Sequence, residues 1–411
     1  MGVPCAGRNR RRRGFPPGRG IKRIGDCAHF MERVTQALAR ITGRPCFETY
    51  RRCLDKERLS LLEYDYCDQE FMAQQGETIR HAGVRDVSSI AADWLGHDPA
   101  FKLFLDGSRR TYKIVDMPIG SQVFPIVAGQ VGVGVCKREA RRVVPCELMF
   151  DIVLAVPDKI NPDGGGPRQN AAYCADLLKK LNQEQRRVRI NDVIFYSSQV
   201  KDRENFEDKA VSRIQEYMIA HEKAMVDLLV QKRILTDRSW LIKDGSLEYT
   251  KVADKDDKFS FNRIRNNFRR VVGVSKSFNP ELAKLKSNKS AAGLIARLQE
   301  NERTPAAMYK SDRLGFSAFA VWYVRLRKPR YGRGPFDGIV KVEKVLVTDH
   351  EKEFGLESSE VDNISAWLLN ERNPVCYGKD SRWANHLYPV YLTETYVKSK
   401  YRGEQHFVNL F

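Results

Sequence analysis

At 411 residues, with 42% hydrophobic and 10% aromatic side chains, the chain can bury one large core or two to three ordinary ones, so a disordered or fibrous class is excluded. No apolar run approaches the roughly 18 residues that cross a bilayer, and the basic N-terminus is not followed by an apolar signal region, so a cytoplasmic protein is expected, with no membrane role. Lys and Arg number 70 against 52 Asp and Glu, and the resulting formal charge of +18 points to a polyanionic partner.

Residues 1–25 are rich in Arg, Gly and Pro, hold eight basic side chains and no acid before Asp26, and are expected to form a disordered basic tail. Met31, which opens MERVTQALARITG, is a candidate for the native start. From 26 to 98 the apolar spacing, with Leu59, Leu61, Leu62, Ile90, Trp94 and Leu95, predicts a helical N-terminal region. From 99 to 411 the chain reads as one mixed α/β domain. FKLFLDG, TYKIVDMPIG, VFPIVAGQVGVGVC and CELMFDIVLAV are short Val-, Ile- and Phe-rich runs that predict an antiparallel meander. GQVGVGV has the wrong spacing for a nucleotide loop and belongs to a strand. Residues 157–170 predict a loop, and ADLLKKLNQEQ a helix. A longer helix is expected over about 207–233, with Ile214, Met218, Met225, Leu228 and Leu229 on one face, Glu222 at its border, and Glu216 and Asp227 on the solvated side. SWLIKDG then predicts a buried strand ending at Asp244. The 9 cysteines form no C-x-x-C pair, so reduced structural thiols are expected rather than a zinc site.

Asp-Gly-Ser occurs twice after an apolar run, in FLDGSRR (104–110) and WLIKDGSLEY (240–249). A single Asp-Gly is an ordinary turn signal. Two copies suggest that Asp106 ends a first strand and that Asp244 ends a parallel neighbour, so that the carboxylates meet at the carboxyl edge of a sheet, where open α/β sheets place ligands. Converging carboxylates repel unless a cation joins them, and an all-oxygen donor set suits Mg2+ or Mn2+. Two such ions roughly 3.5 to 4 Å apart can activate water and stabilise a phosphodiester leaving oxygen. Glu222 is the expected third ligand.

These pieces resemble the NurA nuclease family: LDGS at 105–108, a helix acid about twenty residues before the second DGSL, DGSL at 244–247, GVSKS at 273–277, and YPVYLTETY at 388–396 run in the family's order. The resemblance implies an RNase H-like mixed sheet flanked by helices, with Asp106, Glu222 and Asp244 as metal ligands and Lys276 contacting phosphate. It also implies catalytic roles for Tyr388 and for the residue at 396. The family has His at that last position and this chain has Tyr396, a poor base at neutral pH, so His386 or Glu394 is a candidate substitute. The resemblance further implies a homodimer that processes DNA ends in repair or phage defence, with a hexameric HerA-type translocase as partner.

Between 263 and 289 eight basic residues face a single acid, Glu281. Arg263, Arg265, Arg269, Arg270, Lys284 and Lys286 are the candidate DNA phosphate contacts, with Phe268 and Phe278 as base-stacking platforms. RLRKPRYGRG (325–334), beside the strand FAVWYVRL, is the expected second wall of a groove. Together these residues predict a metal-dependent deoxyribonuclease. The alternative is a catalytically weakened nucleic-acid binding subunit, from which retention of the acids would distinguish it, because a pure binder gains nothing from acids facing phosphates.

Overall fold

The computed structural model describes residues 33–55, 74–79, 83–164, 166–200, 204–247, 266–284, 289–310, 318–329, 334–375 and 383–411. Its strands are β1 Phe47–Cys53, β2 Gln74–Gln75, β3 Arg85–Asp86, β4 Phe101–Ile119, β5 Gln122–Glu139, β6 Arg142–Pro157, β7 Asp192–Tyr196, β8 Trp240–Asp244, β9 Val271–Ser275, β10 Glu302–Arg303, β11 Ala307–Lys310, β12 Ala318–Arg325 and β13 Ile339–Val345. The helices are α1 Val34–Thr42, α2 Ser88–Asp93, α3 Pro167–Glu184, α4 Phe206–Gln231, α5 Ala292–Ala296, α6 Asp349–Phe354, α7 Ser358–Asn370, α8 Tyr388–Lys398 and α9 Glu404–Val408. No helix among the described residues is long and apolar enough to cross a membrane.

The sheet runs β2-β11-β12-β13-β9-β8-β4-β5-β6-β7. At its centre β4, β5 and β6 form the expected antiparallel meander, while β8 lies parallel to β4 and β9 parallel to β8. Three antiparallel strands joined to two parallel ones is the RNase H-like arrangement that the motifs imply. The parallel β4–β8 pair arises because the α4 crossover returns the chain to the edge that β4 leaves open.

Alternation along the strands sorts the core into two layers. Leu103, Leu105, Val133, Val135, Leu241 and Val271 pack on the α4 side with Ile214, Met218, Met225 and Leu229. Phe104, Trp240, Ile242, Val272 and Val274 face the other way, against Val361, Ile364 and Leu368 of α7 and Val390 of α8. The helix over 206–231 therefore buries the face that its periodicity selects. Asn205 starts it by accepting the Asp208 N–H at 2.7 Å, and Glu207 and Asp208 oppose the helix dipole in its first turn.

Two local expectations change. The region 26–98 is not simply helical, because β1 pairs antiparallel with the far half of β4, with Cys53 opposite Tyr112 and Phe47 opposite Asp116. β4, β5 and β6 run for 19, 18 and 16 residues against 5 in β8 and β9, so β4 outruns the sheet and its exposed edge recruits β1 whatever the local helical spacing. Helix α3 also begins earlier than ADLLKKLNQEQ, at Pro167, a residue that opens a helix readily because its missing N–H would be unpaired there. The basic tail lies outside the described residues.

A buried ion network ties the N-terminal strands to α7. Arg303 is fully buried and donates to Glu77 Oε1 and Oε2 at 3.0 and 2.9 Å and to Asp362 Oδ1 at 2.7 Å, while Arg85 reaches Asp362 Oδ2 at 2.7 Å. Burial works against the Glu77 charge, but Arg303 and the Ala306 N–H outweigh it and hold the carboxyl below its usual range. Stability from such a depressed carboxyl is present above the unfolded pKa and is lost as pH falls through the folded one. Replacing Glu77 leaves the buried Arg303 with Asp362 as its one remaining carboxylate and turns an amide NH2 toward the guanidinium, so Glu77→Gln is expected to cost about 3 kcal/mol in urea unfolding, and an unchanged midpoint would contradict this account of the network.

Candidate active site

The two Asp-Gly-Ser stretches fold differently. The first is no turn: β4 runs straight through it, with Asp106, Gly107 and Ser108 paired to Gly134, Val133 and Gly132 of β5. What requires glycine at 107 is α4. A Cβ there would lie 3.0 Å from Glu222 Cδ and 3.1 Å from its Cγ, and closer still to Oε1. The missing side chain leaves a notch through which Glu222 comes up beneath the strand.

The second stretch does end a strand. β8 stops at Asp244, and Gly245, at φ 89°, turns the chain toward β9 with its N–H on Val274 O at 2.9 Å. Glu343 fastens that turn by accepting from Ser246 Oγ at 2.8 Å and Leu247 N–H at 2.6 Å. Because Leu105 pairs with Lys243 in the parallel ladder, Asp106 and Asp244 occupy the next step side by side, on the α8 face. Beyond that step β8 is gone and β1 joins only at Tyr112, so among the described residues 106–110 of β4 have no strand partner on this side.

Four carboxylates gather where this edge opens. Lys276, just past β9, sets its Nζ 2.7 Å from Asp244 Oδ2 and 3.4 Å from Glu394 Oε2 of α8. Glu222 is buried on the opposite face of the strand and pairs with Lys243 Nζ at 2.9 Å, an ammonium that also donates to the Asp244 carbonyl at 3.0 Å. Asp106 is buried as well, and its Oδ2 accepts no hydrogen bond from any described residue.

Ionisation follows from this crowding. Burial, then the charges of Asp244 and Glu394, push the Asp106 carboxyl well above the usual carboxylate range despite Lys276. Burial raises Glu222 too, against the pull of Lys243. Burial would discharge Lys276, but Asp244, Glu394 and Asp106 together keep its ammonium above the ordinary lysine range. Glu394, although burial opposes its charge, is held at about 2 by Lys276, Lys398 and His386.

Among the expected site residues, the structure brings together Asp106, Asp244 and Lys276, with Glu222 beneath them. Tyr396 lies two residues from Glu394 on α8, and its ring covers Gly134, across from Asp106, with Lys400 5.0 Å from the ring centre. No hydrogen bond joins its hydroxyl to the acids, and Glu394 supplies the α8 carboxylate instead. Tyr388 opens α8, its N–H on Glu371 O at 3.0 Å, with no contact to the acids. Lys243 was not singled out in the sequence. A lysine inside the apolar run WLIKD was the available signal, since a strand burying it must give it an acid.

The candidate DNA contacts divide. Arg263, Arg265 and Lys286 lie outside the described residues. Arg269 is exposed, Arg270 stacks 4.7 Å over Trp240, and Lys284 bridges Ser290 through its backbone. Phe268 is fully buried in the α4 layer and Phe278 packs on Tyr323 and Phe336 at 4.9 and 6.0 Å, so neither can stack on a base. The expected second wall is corrected at two of its residues, while 330–333 lie outside the described residues. Arg325 is buried and donates to the Asp337, Ala296 and Pro335 carbonyls, and Arg327 to those of Ala384, His386 and Arg372. Arg327 braces the loop leading into α8 and Arg325 the turn ahead of β13, because carbonyls there would otherwise be buried unpaired.

No family model matches the chain, and no curated protein matches it. Among solved structures it is similar to a NurA nuclease from Sulfolobus solfataricus, 12% identical, with 73% of this chain and 80% of that chain covered and a TM-score of 0.36.

Gly107→Ala drives a methyl group into Glu222 and its ion pair. Overpacking of this kind costs about 1 to 3 kcal/mol, which chemical denaturation would read, and the shorter acid of Glu222→Asp in the same chain is expected to recover part of the loss. A Gly107→Ala protein as stable as the parent would refute the notch.

Proposed function

We propose that the protein is a divalent-metal-dependent nuclease hydrolysing phosphodiester bonds of DNA. The observation that carries this reading is the charge imbalance at the open edge of β4: four carboxylates (Asp106, Asp244, Glu394, Glu222) against three ammonium groups (Lys276, Lys243 and the half-exposed Lys398 on Glu394), with a buried Asp106 oxygen that no described residue satisfies. A cluster this short of positive charge has room for one divalent ion, where two were expected from the sequence. Hard oxygen donors suit Mg2+ or Mn2+. As the side chains stand, no trio of His, Cys, Asp and Glu among the described residues converges tightly enough to hold a metal, and Lys276 occupies the centre.

Asp106 and Asp244 would hold the ion, Glu394 completing the set from α8 and Glu222 lending charge through the Gly107 notch. When bound, the ion supplies charge stabilisation at the phosphate and a water acidic enough to attack it. The protein's own groups do the rest. Lys276, fixed between Asp244 and Glu394, presents an ammonium to a phosphate oxygen, and its raised pKa keeps it charged at neutral pH. Lys243 fixes Glu222 and the Asp244 carbonyl, so the carboxylate positions are set before substrate arrives. The stretch of β4 that has no strand partner among the described residues leaves a path for an extended strand to reach the acids. A homodimer and a HerA-type ATPase that feeds DNA belong to the same proposal.

A rival binding subunit would not keep a buried carboxyl at a cost in stability. The Asp106 pKa is raised on folding, so this group favours the folded state progressively as pH falls and opposes it at pH 7. In EDTA at pH 7, Asp106→Asn is therefore expected to raise the melting temperature, while abolishing the further rise that Mn2+ gives the parent. Digestion of end-labelled DNA with Mn2+ or Mg2+ tests the activity. The parent should cut, and Asp244→Ala should lower the rate at least 100-fold. An inert parent protein, alone and with its ATPase, would end the nuclease reading.

A further inference from the structure

Four residues beyond Asp106, on the same face of β4, stands Arg110, about 13 Å along the strand at the usual rise per residue. Its neighbour Arg109 is committed, bonded to Asp55 and, at 2.5 Å, to Gln215 of α4. Arg110 differs. No carboxylate among the described residues pairs with it, and its guanidinium lies 5.3 Å over the ring of Tyr401.

That platform is built into the fold. Gln130, fully buried on β5 and cross-strand from Arg110, accepts the Arg402 N–H at 2.8 Å and donates to the Arg402 carbonyl at 3.1 Å. This clamp pins the turn after α8, so that Tyr401 packs over Gly132 with its ring 5.8 Å from Phe150 and its hydroxyl beside Ser108. A buried glutamine spending both its groups on one backbone residue fixes where the tyrosine stands. The tyrosine, with the Tyr112 hydroxyl beside it, in turn holds a planar, permanently charged donor that no described carboxylate neutralises, at the rim of the edge where β4 has no strand partner among the described residues. Guanidinium geometry favours bidentate binding of phosphate, and stacking on an aromatic ring reduces the freedom lost when it binds.

We propose that Arg110, held on Tyr401, is a phosphate subsite for the DNA strand flanking the scissile bond, with Tyr401 and Gln130 as positioning residues. This rests on the nuclease reading for its orientation relative to Asp106, but not for binding itself. A subsite on this side makes the enzyme engage several nucleotides on one side of the cut, so that very short ends become poor substrates.

The test is binding of a fluorescein-labelled single-stranded oligodeoxynucleotide in EDTA across a salt series, by anisotropy. Losing one phosphate contact on a single strand should reduce the slope of log affinity against log salt by about 0.7, so Arg110→Ala should show that drop and roughly tenfold weaker binding at about 0.1 M salt. Arg110→Lys keeps the charge and should keep the slope. Tyr401→Leu should keep the slope and lose affinity severalfold. An Arg110→Ala slope equal to the parent's, a Lys variant that behaves like the Ala variant, or a parent that does not bind would overturn the subsite. Cleavage by the parent with Mn2+ is scored separately. A parent that cuts while Arg110→Ala leaves the slope unchanged removes only the subsite, and a parent that never cuts while the slope falls as expected removes only the nuclease reading.

Discussion

The ion pairs of Lys276 and Lys243 hold four carboxylates together inside the protein, and most of what surrounds them exists to permit that placement. Like charges this close, in a medium where water is scarce, repel strongly unless a cation sits among them. Together with Lys398 on Glu394, the two lysines reduce the repulsion without cancelling it. The residue is concentrated on Asp106, the one carboxylate with a buried oxygen left unbonded and no lysine of its own. Of the four acids it is the one whose repulsion the proposed cation would relieve most.

The sheet explains how the acids reach one another. Asp106 and Asp244 are neighbours because β4 and β8 are parallel and in register, which in turn needs the α4 crossover. That helix also delivers Glu222, from the opposite face, through the gap at Gly107. Glu394 arrives by another route: Arg327 braces the loop ahead of α8, and glycines 132 and 134 of β5 let Val397 settle close against the sheet. Each acid thus depends on a different element, and each element is brought close by a residue chosen for lacking bulk or for satisfying buried carbonyls.

Much of this was legible in the sequence. The meander, the helix over 206–231 and the strand into Asp244 all follow from periodicity, and the paired Asp-Gly-Ser stretches led to the two aspartates. Their geometry was not legible. Asp-Gly at 106–107 carries the same local signal whether it turns or continues, and only the approach of Glu222 shows why the glycine is there. The roles of Phe268, Phe278, Arg325 and Arg327 were misjudged for a related reason. Composition shows that a residue is aromatic or basic, whereas whether it faces solvent or buried carbonyls is fixed by strands distant in sequence. Glu394 lay within the motif expected to hold a histidine, and helical spacing alone did not show that it, rather than Tyr396, bonds the lysine at the centre. The strand β1 was hidden because its pairing answers the overhang of β4 and not its own pattern.

The central proposal is that this cluster, short of positive charge, accepts a single divalent ion. Calorimetric titration of the metal-free protein with Mn2+ measures that directly. The account expects a stoichiometry near one ion per chain, abolished by Asp106→Asn and retained by Arg110→Ala. No Mn2+ uptake, or uptake that survives loss of the Asp106 carboxylate, would contradict it.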